Sequence, residues 1–368
     1  MNQKYRIAIV HDFLNKTGGA EMTLKEMGAV WPKAPIYTLM HKEELGLDLP
    51  NQIRESYIKK LPGLFKERPK LALPFLIVAP ETLDLRNYRV VLTSSGAFSK
   101  SVITKPETLN ICYCHSPTRY LWDYTHQYVR NIIHSNSIKF LTRFLINYIR
   151  IWDAVSADRV DYFIANSKAT REKIKKYYRS DSALIYPPVK VDELYSRRNQ
   201  QKNFFLVVSR LSKYKKIDII IKAFNKLGWE LIVIGEGEEF KRLKKMAGPT
   251  VKMLGFKERK EVIDYYRSCK AFIQASDEDF GISTVEAMAC GKPVLAFEKG
   301  GAKEIVQPGI SGEFFKAQTV EVLAEGVYRI NSRIKKYNSR DIIESVQKFS
   351  DKRFRKELRN FIESKLEG

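Results

Sequence analysis

The sequence predicts an α/β protein of two domains, each a parallel sheet covered by helices. Three observations predict this class. The chain has 368 residues, enough for about two domains at roughly 150 residues each. Short β-rich runs alternate with segments of helical periodicity, the pattern of strands joined through crossover helices. The alternation breaks once and restarts, at Ile185-Tyr186-Pro187-Pro188-Val189, where two consecutive prolines stiffen the chain and forbid a helix. The domains are therefore expected at 1–186 and 187–345, with 346–368 as a C-terminal helical segment that packs back on the first domain.

In the first domain Tyr5–Val10 is expected as a buried strand, followed by a loop with Gly18-Gly19 and a helix through Met22 and Met27. Further strands are expected at Arg89–Thr93, Leu109–Cys114 and Tyr162–Ala165, each a short run of β-branched, aromatic or small apolar residues. Asn166-Ser167 caps a helix over Lys168–Tyr178. Beyond the polar, basic stretch Ser196–Asn203 the second domain restarts with strand Phe204–Ser209, helix Ile217–Leu227 and strand Glu230–Ile234. Helix Glu238–Met246, strand Val251–Leu254, helix Lys260–Cys269, strand Ala271–Gln274, helix Thr284–Ala289 and strand Pro293–Phe297 follow. A last helix, Asp351–Leu366, carries Phe354, Leu358, Phe361, Ile362 and Leu366 at helical spacing, with Ser350 as its cap.

Composition excludes several classes. Hydrophobic residues at 44% and charged residues at 29% exclude a disordered chain. Four cysteines in this length exclude a disulfide scaffold and suit a reducing compartment. No run reaches about 18 uninterrupted apolar residues, so no bilayer span is expected. Arg6-Ile7-Ala8-Ile9-Val10 running into His11-Asp12 reads as a strand and not as a signal peptide. The net charge of +22 points to a polyanionic partner: nucleic acid, an anionic membrane surface or a phosphorylated substrate.

Four segments can carry chemistry. Gly18-Gly19, between a strand and a helix, allow backbone N–H groups to approach a phosphate at the helix N-terminus; they serve equally as a plain tight turn. Arg210 and Lys215, where the second domain's first strand hands over to its first helix, can converge on a diphosphate, or form a solvated basic turn. Glu278 closes a strand and Glu286 lies on the next helix, with Gly281-Ile282-Ser283-Thr284 at that helix's N-terminus. Carboxylates beside an anion site suit one ligand with both hydroxyls and phosphates, as a nucleotide sugar has. Cys112, Cys114 and His115 could hold a metal, but no second cluster supplies the remaining ligands, and the two cysteines read better as small core residues. His115 then stands at a strand's carboxyl end, where open α/β sheets place ligands.

Together these segments resemble glycosyltransferase family 4, the retaining nucleotide-sugar-dependent enzymes of GT-B fold, two Rossmann-like domains facing across a cleft. The most specific part is Glu278-Asp279-Phe280-Gly281 through Glu286-Ala287-Met288-Ala289-Cys290-Gly291, similar to that family's pair of glutamates separated by seven residues. Arg210 and Lys215 match its diphosphate-binding pair and Gly18-Gly19-Ala20-Glu21 its amino-terminal glycine loop. Val233-Ile234-Gly235-Glu236-Gly237 and Gly300-Gly301-Ala302-Lys303-Glu304 also fit. The family often has Lys-Gly where this chain has Lys215-Lys216, and Lys215 is assigned by its register from Arg210. His115-Ser116-Pro117-Thr118-Arg119-Tyr120 resembles the bacterial O-antigen mannosyltransferase branch.

The resemblance implies a hexose donor, with GDP-mannose preferred over a UDP-sugar. Arg210 and Lys215 would neutralise the leaving diphosphate, so that no metal or other cofactor is needed. Glu278 would bind sugar hydroxyls, Glu286 the ribose, Gly19 the diphosphate, and His115 the sugar near its reacting carbon. His115 keeps a structural alternative. Gly18, Gly235, Phe256, Phe280, Gly281, Ile282, Ser283 and Thr284 complete the implied donor site. Transfer would run through a front-face, oxocarbenium-like state, with closure at Pro187-Pro188 excluding water. The competing class is a basic nucleic-acid-binding protein, against which stands the absence of a binding motif. Two stretches, Arg54–Lys70 and Lys139–Arg150, interleave basic with apolar residues and read as amphipathic helices. They suit an anionic membrane surface and a lipid-linked saccharide acceptor in cell-surface polysaccharide synthesis, at the cytoplasmic face of the membrane, or else a helix with one core face and one solvated face.

Overall fold

The structure is a computed structural model that describes residues 6–15, 17–42, 48–61, 73–125, 136–195 and 201–367, with the backbone alone for 136–141. The chain divides into two units, Met1–Tyr186 with Phe354–Gly368, and Pro187–Arg353. Each is built on one parallel sheet, the Rossmann-like pattern that the alternation of strands and helices predicts.

The first unit holds β1 (Ile7–Leu14), β2 (Ile36–His41), β3 (Ile53–Glu55), β4 (Val90–Ser95), β5 (Leu109–Cys114), β6 (Tyr162–Ala165) and β7 (Ser182–Leu184). Their order is β3-β2-β1-β4-β5-β6-β7, all parallel. Alternate side chains of β1 go to opposite faces, as a period of two requires. Ile7 and Ile9 join Leu24 and Met27 of the helix Gly19–Val30, while Ala8 and Val10 meet Val91 and Val102. The helix Asp351–Glu367 completes the first of these faces with Phe354, Leu358 and Ile362. Arg355 secures it by donating to Glu26 at 2.6 Å, and Ser350 accepts from the N–H of Arg353 at 3.4 Å.

The first strand differs from its expected span. It starts at Ile7 and continues to Leu14, so His11 and Asp12 lie in the sheet rather than in the following loop. The extension is held by pairing, Leu14 against His41 and His11 against Ser94.

The second unit holds β8 (Phe205–Val208), β9 (Leu231–Ile234), β10 (Val251–Gly255), β11 (Ala271–Gln274), β12 (Val294–Phe297) and β13 (Gly312–Phe315), in the order β10-β9-β8-β11-β12-β13. Phe205, Val207, Val233 and Ile273 pack against Ile220 and Phe224 of the helix Ile217–Leu227 and against Leu323 and Val327 of the helix Val320–Ser332.

The two basic stretches turn out differently. Arg54–Lys70 is not one helix: Ile53–Glu55 is strand β3, Tyr57–Lys60 is a single 3₁₀ turn, and 62–72 lie outside the described residues. Edge pairing of Ile36 to Ile53 claims these residues for the sheet. Lys139–Arg150 does lie in a helix, Asn136–Ala157. Its Ile146 and Ile149 are buried with Leu121, yet Phe144, Tyr148, Ile151 and Val155 are each more than half exposed. Their spacing of four, three and four forms a second apolar stripe on the outer face. No helix among the described residues is long and apolar enough to cross a membrane.

Inside the first unit Lys100 and Asp153 form a buried ion pair at 2.6 Å, 2% and 0% exposed. Asp153 also accepts from Thr118 (2.7 Å), Trp122 Nε1 (2.8 Å) and Tyr178 (3.0 Å). Lys100 also donates to the carbonyl of Ala97 at 2.9 Å. One carboxylate thus ties the segment after β5 to three other elements. Replacing Asp153 by Ala strands a buried ammonium, and should destabilise the first unit by about 3–5 kcal/mol. Urea unfolding followed by a probe in that unit measures it, and a loss under 1 kcal/mol would refute the network's role.

Candidate functional site

In the second sheet the strand order reverses between β8 and β11, so their outgoing loops diverge and leave an open crevice at the carboxyl ends. The loop after β8 carries Arg210, Tyr214 and Lys215; the loop after β11 carries Ser276 and Glu278. Lys215 forms an ion pair with Glu278, and Ser276 donates to the same carboxylate oxygen at 2.6 Å. Arg210 is exposed and donates to the Tyr214 hydroxyl at 2.9 Å. The guanidinium carbon and Lys215 Nζ lie 5.9 and 5.1 Å from the centre of the Tyr214 ring. Burial alone would raise the Tyr214 phenol; the cations Lys215 and Arg210 outweigh it and bring the phenol below its ordinary value. Two cations and a carboxylate therefore meet where the sheet leaves room for a ligand.

The neighbouring loops are fitted closely to this crevice. Gly235, which follows β9, has φ +134°, and a Cβ there would stand 1.9 Å from the Ser209 carbonyl oxygen. Only glycine allows the loops after β8 and β9 to touch. Gly300, at φ +60°, lies against the Glu278 carbonyl in the same way, at 2.2 Å from a Cβ. The Gly301 N–H then donates to that carbonyl at 2.9 Å and fixes the peptide of Glu278.

The other residues expected at the donor site divide. Gly281 is the N-cap of the helix Ile282–Ala289, and Gly281, Ile282 and Ser283 are partly exposed at its start. Phe256 is 69% exposed just beyond β10. The side chains of Phe280 and Thr284 are not available to a ligand. Phe280 is buried edge-on against Phe349 at 5.2 Å, and Thr284 is fully buried with its hydroxyl on Gln274. Glu286 is held on both oxygens, by Arg259 at 2.6 Å and by the Tyr266 hydroxyl at 3.0 Å. Burial, then the charge of Glu286, raises the Tyr266 phenol well above its usual range, so it stays a donor.

In the first unit the order reverses between β1 and β4, and a second polar group sits at those carboxyl ends. Asp12 accepts from the N–H groups of Gly96 (2.7 Å), Ala97 (2.8 Å), Phe98 (3.0 Å) and Ser99 (2.6 Å), which fixes the turn after β4. Ser94 Oγ lies 3.0 Å from His11 Nδ1 and 2.8 Å from His115 Nε2. Burial holds the His11 imidazole below its usual pKa against the opposing charge of Asp12. Gly18 is the N-cap of the helix Gly19–Val30, and both glycines are partly exposed. The carboxylate of Glu21 folds over Gly18, 2.9 Å from where a Cβ would be, so any anion there shares the turn with a protein carboxylate.

Cys112 and Cys114 pack with Phe163 and Ile174, while His115 turns to Ser94. Burial pushes the Cys112 thiol up to about 12, which disfavours the thiolate a metal needs. Among the described residues no three His, Cys, Asp or Glu groups cluster to hold a metal ion. Asp277 and Asp279 do form an Asp-x-Asp pair in sequence, but Asp277 is turned to Lys299 at 3.1 Å. Sequence reasoning missed His11, Asp12, Ser94, Tyr214, Arg259 and Tyr266; His11-Asp12, at the end of a β-rich run, offered the one local signal.

Residues 195–362 match the protein family described as Glycosyl transferases group 1. An uncharacterized glycosyltransferase of Methanocaldococcus jannaschii is 29% identical over 52% of this chain and 56% of its own length. A lipopolysaccharide 1,6-galactosyltransferase of Salmonella typhimurium is 24% identical over 56% of this chain and 62% of its own. The chain thus spans little more than half the length of these curated relatives. Among solved structures, Anabaena HepE in complex with UDP-glucose superposes with a TM-score of 0.70 at 19% identity, covering 98% of this chain and 100% of HepE. The fold is therefore of the GT-B class that the sequence resemblance implied, with two parallel-sheet, Rossmann-like domains.

The turn that carries Lys215 ends on Lys216, whose φ of 56° and ψ of 33° are left-handed. This is the position where glycine stands in the resembled motif, and the register gives Lys215, not Lys216, the contact with Glu278. A side chain in that conformation costs of order 1 kcal/mol or more, which glycine's greater chain entropy offsets in part. Lys216→Gly should therefore raise stability by about 0.5–1 kcal/mol in urea unfolding. A loss of stability would contradict the left-handed turn.

Proposed function

We propose that the protein is a retaining glycosyltransferase that moves a hexose from a nucleotide sugar to a saccharide acceptor, with GDP-mannose as the preferred donor. The observation that carries this reading is the Lys215–Glu278 pair beside Arg210 at the reversal of strand order. Without donor, Glu278 neutralises Lys215; with donor, Lys215 and Arg210 take the charge that develops on the leaving diphosphate, and Glu278 turns to the sugar hydroxyls. That gain is largest in the transition state, where bond breaking completes the diphosphate charge. Glu286, oriented by Arg259 and Tyr266, is the acceptor for the ribose hydroxyls. The two cations fill the part that a divalent ion plays in metal-dependent transferases, so the reaction is metal-independent in this reading. The complex of HepE with UDP-glucose makes a UDP-sugar the competing donor.

A panel of nucleotide sugars tests the assignment by donor-dependent thermal stabilisation, followed by turnover. Glu278→Ala and Lys215→Ala should each lower turnover by at least 100-fold in protein that still unfolds cooperatively. Excess chelator should leave the wild-type rate unchanged. Wild-type rates in both variants would end the assignment, and loss of activity on chelation, restored by Mg²⁺ or Mn²⁺, would end metal independence.

The acceptor is proposed to be lipid-linked and met at an anionic, cytoplasmic membrane face. The stripe of Phe144, Tyr148, Ile151 and Val155 supports this, because exposed apolar side chains on a helix already packed by its other face gain nothing from water. The net charge of +22 and the exposed Arg143 beside the stripe complement anionic headgroups. Co-sedimentation should show binding to anionic vesicles that weakens as salt rises, since screening shortens from about 10 Å at 0.1 M to about 3 Å at 1 M. Phe144→Ser with Tyr148→Ser should abolish it and spare turnover of a water-soluble acceptor. Indifference of the wild type to anionic vesicles at low salt would overturn the membrane reading.

A further inference from the structure

The chain His11–Ser94–His115 is built from β1, β4 and the residue that follows β5, segments far apart in sequence whose strands are adjacent in the sheet. Parallel register sets His11 of β1 beside Ser94 of β4, and Ser94 beside Tyr113 of β5, two residues before His115. Ser94 is fully buried and His11 is 2% exposed, so water does not compete for either hydroxyl or imidazole. We infer that Ser94, backed by His11, is a positioning residue that fixes the ring orientation and the tautomer of His115.

The Ser94 hydroxyl has one hydrogen, and it has a ring nitrogen on each side, at 3.0 and 2.8 Å. It must donate to one imidazole and accept from the other. The protonation of Nε2 of His115 is therefore set by the state of His11, and with it the role of Nδ1, the ring's other polar atom. His11 stays neutral because it is buried, so the chain holds no surplus proton that would let both rings donate.

The surroundings resist any rearrangement. The backbone of Ser94 is held through its carbonyl by Ser99 Oγ at 3.1 Å, in the turn that Asp12 fixes. The His115 N–H donates to the Ser95 carbonyl at 2.8 Å, and its own carbonyl accepts from Asn166 at 2.8 Å. The rings of Tyr113 and His11 stand edge-on to it, at 5.3 and 6.4 Å between centroids. A histidine with an incidental structural place does not need a buried hydroxyl aligned by a second buried histidine. A histidine that presents one defined nitrogen to a reacting sugar does, because misorientation by about 1 Å costs up to 100-fold in rate.

The role in transfer rests on the reading of His115 as the first unit's contribution to the reaction; the tautomer does not, and the two are tested apart. Nitrogen-15 NMR of the ligand-free protein, with the His115 ring assigned by its loss in His115→Gln, reports the tautomer. One dominant neutral tautomer is expected in the wild type, and Ser94→Ala should move the shifts toward those of a free, exchanging imidazole. In turnover, Ser94→Ala should lower kcat by 10- to 100-fold with KM changed less than twofold. An even tautomer mixture in the wild type overturns the inference without any variant. So do unchanged His115 shifts in Ser94→Ala, or an unchanged kcat in a variant whose shifts have moved. If no nucleotide sugar is turned over, the transferase reading fails while the nitrogen shifts still decide the tautomer. His11→Asn, which keeps an amide near the position of Nδ1, should perturb the shifts less than Ser94→Ala, and a larger effect would count against Ser94 as the direct contact.

Discussion

A parallel sheet imposes one constraint on which the rest of this molecule depends. Every strand must return through a crossover, and where the order of strands reverses, two crossovers leave in opposite directions and cannot cover the strand ends between them. Both units contain one such place, between β1 and β4 and between β8 and β11. Both hold polar groups at the carboxyl ends of their strands. His11, Asp12 and Ser94 meet at the first, and Lys215, Glu278, Arg210 and Tyr214 at the second. At the first place the polar side chains stand on the strand ends themselves, and at the second the loops carry them.

The two places differ in how their charge is satisfied. At the first, Asp12 is closed by four backbone N–H groups, and the two histidines share one hydroxyl. At the second, Arg210 lies exposed at the rim, and its neighbour Lys215 is held by the carboxylate that the proposed chemistry turns to the sugar. Both cations lie close to the Tyr214 ring.

Much of this was legible in the sequence. Leu109–Cys114, Tyr162–Ala165 and Ala271–Gln274 form strands over the expected residues, because strands buried largely on both faces read as mostly apolar runs. The strand Gly312–Phe315 was not foreseen: Glu313 interrupts its pattern and is satisfied by Arg333 and Tyr337, partners that lie far along the chain. The three-residue strands Ile53–Glu55 and Ser182–Leu184 are too short for any periodicity to show. Lys215 and Glu278 could be picked out by spacing and residue type. The pairing of His11 with Ser94 could not, since it spans 83 positions and exists only through strand register. Nor does composition tell that Phe280 and Thr284 turn inward while Gly281, Ile282 and Ser283 between them stay partly exposed.

From Phe354 on, the helix Asp351–Glu367 belongs to the first unit although it follows the second. The second unit is therefore an insertion, entered and left at one place, where Val189 and Phe349–Asp351 pair backbone to backbone: the Val189 N–H donates to Phe349 at 2.9 Å and the Asp351 N–H to Val189 at 3.1 Å. During synthesis the second unit has every residue of its core before the first does. Until the ribosome has passed Ile362, the face of the first sheet made by Ile9, Leu92 and Tyr113 lacks the part of its cover that Phe354, Leu358 and Ile362 supply. The order of completion on the ribosome is the reverse of the order in which the two sheets begin, and the nascent first unit is the one that a chaperone would find open.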